Sequence, residues 1–199
     1  MIAVILAAGL SKRFGGKKLL AKVNHKSMVL HVVDLVSSFH FRKTILVYSD
    51  EEVLEEIKAN CPKASGFLFL TNEKSYKGLS TSIRLAMEHL TASPTEEGIM
   101  FFVADQPFID LVTVTKLQEA FYLGKGSIVV PLYKESRGNP VIFSNRWIED
   151  LKNLEGDVGG RIIIQKNPKE VYEVPITNPQ VGKDIDTKED YDSLKYERN

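Results

Sequence analysis

The sequence predicts an α/β chain in three layers, a mostly parallel mixed sheet with helices packed on both faces. Strand-like apolar runs alternate with helix-like amphipathic stretches from the N-terminus onward, at spacings that suit βα units. The most apolar run, Ile99 to Val103, falls mid-chain and reads as a central strand. The 199 residues hold no internal repeat, low-complexity tract or flexible linker, so 1–199 is read as one domain.

Taken in order, Ile2 to Leu6 reads as a buried strand that empties into Ala7-Ala8-Gly9-Leu10-Ser11-Lys12-Arg13-Phe14-Gly15-Gly16-Lys17-Lys18. Ala and Gly let backbone N–H groups approach a ligand closely, and Arg13, Lys17 and Lys18 add positive charge beside them. Amides plus cations suit a polyphosphate better than a neutral ligand. Two familiar phosphate motifs are excluded by position. A P-loop ending at Lys17 would need Gly at Ser11 and Ser or Thr at Lys18, and no G-x-G-x-x-G follows the strand.

Ser27 is placed to cap a helix through about Ser38, Thr44 to Tyr48 reads as a strand, and Asp50 caps Glu51 to Asn60. Phe67 to Leu70 is a short strand. Tyr76 to Arg84 opens a helix running to about Leu90, whose start either faces a ligand through Gly78 or is capped by Ser80 or Thr81. Asp105 ends the central strand, where open α/β sheets bind ligands, and Pro107 stops the strand after it. Asp110 caps a helix to Tyr122 with Gly124 as its stop; Ser127 to Val130 is a strand closed by Pro131. A turn at residues 133–140 then leads to the strand Val141 to Phe143, and Asn145 to Leu151 is a short helix with Trp147 packed on its flank. Asp157 either caps the helix Ile162 to Gln165 or leaves Gly159 and Gly160 to admit a bulky ligand. The last strand reaches Lys183 to Thr187, and period-two spacing puts Asp184 and Asp186 on one face ahead of a terminal helix.

Acidic and basic residues balance at 26 each, so no global field draws the chain to nucleic acid or an anionic membrane. No apolar run approaches the ~20 residues that span a bilayer. There is no basic n-region or cleavage site at the N-terminus, so a cytoplasmic location is expected. The one cysteine, Cys61, beside Pro62, reads as a turn residue. The four histidines are scattered, without zinc or triad spacing, and His31 is expected to pack on its helix.

Residues 6–18 fit L-A-A-G-x-S-x-R-x-G-x-x-K at every fixed position, and this resembles the signature of the nucleoside-triphosphate transferases of the molybdenum cofactor type. Further segments carry the likeness: G-L-x-x-S at Gly78 and Ser82, D-x-P at Asp105, R-G-x-P at Arg137 and Gly138, G-D-x-G-x-R at Asp157, and D-I-D-T at Asp184 to Thr187. The resemblance implies a Rossmann-like α/β/α nucleotidyltransferase fold. It implies that Leu6, Ala7, Ala8, Gly9, Arg13, Lys18, Gly78 and Ser82 bind the nucleotide, with Lys18 preferred to Lys17. Arg13, Lys18 and Asp105 would be catalytic, Asp105 and Asp186 would hold Mg²⁺ (or Mn²⁺), and Arg137, Gly138 and Asp157 would meet the second substrate. Guanylyl-transferring relatives usually carry a second Gly where this chain has Ala8, which points to CTP. The implied reaction joins CTP to a molybdopterin-type phosphate and releases pyrophosphate, with an apo-molybdoenzyme as a further partner. Cytidylyl or uridylyl transfer to a sugar or polyol phosphate is the alternative enzyme; a non-catalytic cofactor carrier is the alternative class.

Overall fold

The computed structural model describes residues 1–90 and 97–196. Strand β1 (Ile2–Ala7) is followed by a short hairpin of β2 (Lys22–Val23) and β3 (Lys26–Ser27), then α1 (Met28–Ser37), β4 (Lys43–Tyr48) and α2 (Glu51–Asn60). Next come β5 (Leu68–Thr71), α3 (Leu79–Glu88), β6 (Gly98–Val103) and α4 (Leu111–Tyr122). The chain closes with β7 (Ile128–Tyr133), β8 (Ser136–Arg137), β9 (Val141–Ser144), α5 (Ile148–Lys152), α6 (Arg161–Lys166), β10 (Val171–Ile176) and α7 (Lys188–Tyr196).

Seven strands lie in the order β10-β7-β9-β6-β1-β4-β5, with β8 paired to β7 off this path. Strands β6, β1, β4 and β5 pair parallel, as do β7 and β10, while β9 runs antiparallel to both its neighbours. The sheet is therefore mixed but mostly parallel, with β6 in the middle, as the sequence predicts. β1 shows why both faces are covered. Ala3, Ile5 and Ala7 pack with α1, α2 and α4, while Ile2, Val4 and Leu6 pack with α3, α5 and α6. Burying one such aliphatic side chain stabilises the fold by about 1.5–3 kcal/mol. A third, smaller cluster of Phe14, Val23, Met28 and Ile185 joins the first loop to the C-terminal segment.

Several local expectations hold. Asp50 accepts from the Glu52 N–H (3.0 Å) and Asp110 from the Thr113 N–H (2.8 Å), while Gly124 ends α4 at φ +65. Trp147 is half-buried and donates to Ser127 Oγ (3.1 Å). His31 Nε2 meets the Val23 carbonyl at 2.7 Å, and Cys61 is buried at the end of α2.

Others are corrected. Ser27 precedes α1 in extended backbone, but its buried hydroxyl makes no cap bond, because β3 has already fixed it. Pro131 does not close a strand. β9 pairs only with Ile128 and Val129, so the absent proline N–H costs no bond on that side, and β7 runs on to Tyr133. The last strand ends at Ile176. Residues 183–187 belong to no strand, because their backbone meets no neighbouring ladder. The β2–β3 hairpin was not foreseen; its turn, Asn24-His25, adopts positive φ at both residues without a glycine to announce it.

Candidate active site

The loop after β1 folds back under its own anchors. Gly15 takes φ +70 and Ser11 φ +48, and Phe14 drops into the third apolar cluster, edge-on to Tyr191. This turns the backbone at residues 8–13 along a cleft of about 600 Å³, opposite the start of α3. A side chain at Gly9 would meet nothing within 4 Å, so its backbone faces open space.

Lys18 is the charged centre. It is only 7% exposed, and its Nζ lies 2.6 Å from Asp105 Oδ2 and 2.9 Å from Asp186 Oδ1. Burial disfavours its charge, yet the two carboxylates outweigh that, and the ammonium is held above its ordinary pKa. Arg13 reaches the other oxygen of Asp186 at 3.3 Å. Lys17 turns away to Glu52 and Asp50. The structure therefore brings Arg13, Lys18, Asp105 and Asp186 together, and of the two lysines only Lys18 stands between the acids.

Asp186 is free for this because Thr187 and Asp190 cap α7 reciprocally, the Asp190 carboxylate accepting from the Thr187 N–H (2.8 Å) and Thr187 Oγ1 from the Asp190 N–H (3.1 Å). The donor set fits a hard divalent ion. Two carboxylates already converge on one cation, and Mg²⁺ is commonly held by one or two carboxylates with substrate phosphates completing its shell. Among the described residues there is no cage of three or more His, Cys, Asp or Glu.

Gly78 and Ser82 lie on the same cleft. Gly78 has φ +109, and a Cβ there would sit 2.6 Å from Asp157 Cα, so only glycine lets the loop at 156–157 dock on the start of α3. Asp157 Oδ1 accepts from the Leu79 N–H (3.2 Å), and Ser80 Oγ donates to the Gly156 carbonyl (2.6 Å). This corrects one expectation. Asp157 caps α3, not the helix after it; it lines the cleft along residues 8–13, whereas Arg137 and Gly138 do not. The latter two line a neighbouring cleft of about 1060 Å³, floored by Phe101 and Phe143, where Arg137 is paired with Glu173 at 2.7 Å.

Two polar residues at the site, Asn72 and Gln106, were not singled out from sequence, and Asp184 was placed beside Asp186 without a role of its own. Asn72, 4% exposed, donates to Thr81 Oγ1 (2.9 Å) and Ser82 Oγ (2.8 Å). Gln106 and Asp184 pair at 2.6 Å on the wall of the larger cleft. Crowding by the surrounding protein, then the neighbouring Asp105, push Asp184 up to about 6, although its outer side stays exposed. Only its place between Asp105 and Pro107 could have flagged Gln106.

The fold is an α/β sheet covered on both faces, with two adjoining clefts beside the ends of β1 and β6. Residues 3–171 match the MobA-like NTP transferase domain, and the chain belongs to that family. It is 27% identical over 154 residues to a probable molybdenum cofactor guanylyltransferase of Thermococcus sibiricus, covering 76% of this chain and 73% of that protein. It is 32% identical over 176 residues to the bifunctional protein GlmU of Buchnera aphidicola; there it covers 86% of itself but only 36% of the much longer relative. Rv0371c from Mycobacterium tuberculosis H37Rv superposes with a TM-score of 0.82 at 25% identity, over 97% of this chain and 95% of that one. Rv0371c in complex with manganese gives a TM-score of 0.78 at 24% identity, over 97% and 96% of the two chains. No helix among the described residues is long and apolar enough to cross a membrane.

Proposed function

We propose that the protein transfers CMP from CTP to the phosphate of a molybdopterin-type cofactor, releasing pyrophosphate. The observation that carries this is the convergence of Arg13, Lys18, Asp105 and Asp186 at the mouth of β1, beside a second cleft large enough for a polycyclic acceptor. The acceptor phosphate oxygen attacks the α-phosphorus in line as the bond to pyrophosphate breaks. Such a reaction asks the protein for position and charge stabilisation rather than covalent chemistry.

Amides of Ala8 and Gly9 and the Arg13 guanidinium hold the triphosphate, and Lys18 stabilises charge gathering on the phosphates. Asp105 and Asp186 would hold Mg²⁺ or Mn²⁺, which would supply neutralisation of phosphate charge. Gly78 and Ser82 face the base; Arg137 and Gly138 face the acceptor, and Asp157 shapes the wall between them. Ala8 lines this cleft and stands where guanylyl-transferring relatives usually carry a second glycine, which supports the pyrimidine reading. The name of the Thermococcus relative favours a second reading, in which GTP is the donor.

Pyrophosphate release measured with CTP, GTP and UTP, each with and without molybdopterin, tests both. Turnover with CTP that depends on molybdopterin is expected. Turnover with GTP alone among the three replaces the cytidylyl reading with the guanylyl one, and turnover independent of molybdopterin removes the acceptor.

A further inference from the structure

We propose that Gln106 is a positioning residue that clamps the C-terminal acidic segment against the end of β6, and so sets where Asp186 stands relative to Asp105. The proposal rests on the metal-holding role given above to those two acids.

Residues 182–187 need such a device because they sit outside every strand and lack a ladder to fix their register. Gln106 follows Asp105 directly and is 2% exposed. Its Nε2 donates to Asp184 Oδ1 at 2.6 Å and to the Gly182 carbonyl at 3.3 Å, so one buried amide grips the segment at two points. The backbone adds a third, from the Ile185 N–H to the Asp105 carbonyl at 3.3 Å. From the opposite side Ile185, fully buried, plugs into the cluster of Phe14, Val23 and Met28. The segment is thus pinned between an apolar plug and a polar clamp. Asp184 and Asp186 are separated by one residue, so a displacement at the clamp is a displacement two peptide units from Asp186. The clamp faces the larger cleft while Asp105 and Asp186 face the nucleotide side, so Gln106 lies in the wall dividing the two. Groups that orient a metal's ligands typically change metal affinity or activity by 10–100-fold when removed.

The test is Mn²⁺ alone, titrated into the full chain and followed by the electron paramagnetic resonance of the free ion, with thermal unfolding measured in parallel. Gln106→Leu keeps bulk but loses both donors. Asp184→Ala removes the clamp from its exposed end, while Asp184→Asn keeps an accepting oxygen. Gln106→Leu and Asp184→Ala are expected to weaken Mn²⁺ binding about tenfold or more with unchanged unfolding, and Asp184→Asn to weaken it clearly less. Wild-type Mn²⁺ affinity in Gln106→Leu overturns the clamp. If that variant does not fold, equal losses in Asp184→Ala and Asp184→Asn overturn it, because charge alone would then account for the effect. Asp105→Asn serves as the separate check on the metal assignment: undiminished Mn²⁺ affinity there counts against the proposed function, whereas loss there with none in Gln106→Leu counts against the clamp only.

Discussion

Arg13 has 75% of its side chain in solvent and pairs with Asp186 at 3.3 Å, so removing it should leave the core untouched. Arg13→Ala is expected to lower kcat roughly tenfold or more, with an unchanged melting temperature. Steady-state pyrophosphate release from the folded variant checks this, and wild-type turnover would remove Arg13 from the mechanism. Asn72 is the opposite case, buried and bonded to two hydroxyls on the first turn of α3. Asn72→Ala strands Ser82 Oγ, itself 3% exposed, and should cost about 1–3 kcal/mol in urea unfolding while raising the KM for the nucleotide. The sequence pointed to Arg13 because a fixed motif surrounds it. Asn72 went unnoticed because its role depends on partners nine and ten residues away across a turn.

The junction of α3 with the loop at 156–157 is where two elements meet with no room between their backbones. Gly78→Ala would place a methyl 2.6 Å from Asp157 Cα and 2.6 Å from the Gly156 carbonyl, neither of which can rotate aside, in a backbone conformation at φ +109 that alanine resists. The start of α3 should shift from its docking loop. A lower melting temperature together with a raised nucleotide KM is expected; a change in melting temperature alone would mean the junction serves only the fold. Element ends that depend on near neighbours were legible in the sequence: Asp50 and Asp110 as caps, Gly124 as a stop. Ser27 and Asp157 were misread because neighbouring elements, β3 and α3, had the stronger claim on them.

Across the whole sheet, Arg42 ahead of β4 forks onto Glu97 ahead of β6, both bonds 2.7 Å, tying together the two strands that flank β1. The guanidinium hydrogen bonds hold the Glu97 carboxyl below its ordinary pKa of 4.5, burial opposing them less strongly. A carboxyl more acidic in the folded than in the unfolded chain stabilises the fold at pH values above the unfolded pKa. That gain fades as pH falls through the lower, folded pKa. Because the Arg42 side chain is 61% exposed, the pair is worth only about 1 kcal/mol. Glu97→Gln should therefore cost about 1 kcal/mol of unfolding free energy at pH 7, and the difference from wild type should shrink in acid. A difference that stays constant with pH would show that the ionised pair contributes nothing.

The sequence by itself determined the layered α/β architecture, the central place of β6 and the residue types of the loop after β1, since hydrophobic period and small-residue spacing are local and survive in one dimension. It also offered Asp105 and Asp186 as partners, but through a family likeness rather than any force between them along the chain. That they meet at all, with Lys18 buried between and Asp157 turned onto α3, was decided only by tertiary structure. Electrostatic attraction and burial act through space, so segments remote in sequence acquire their chemistry only once the sheet, the apolar plug at Ile185 and the amide of Gln106 have brought them within a bond's length.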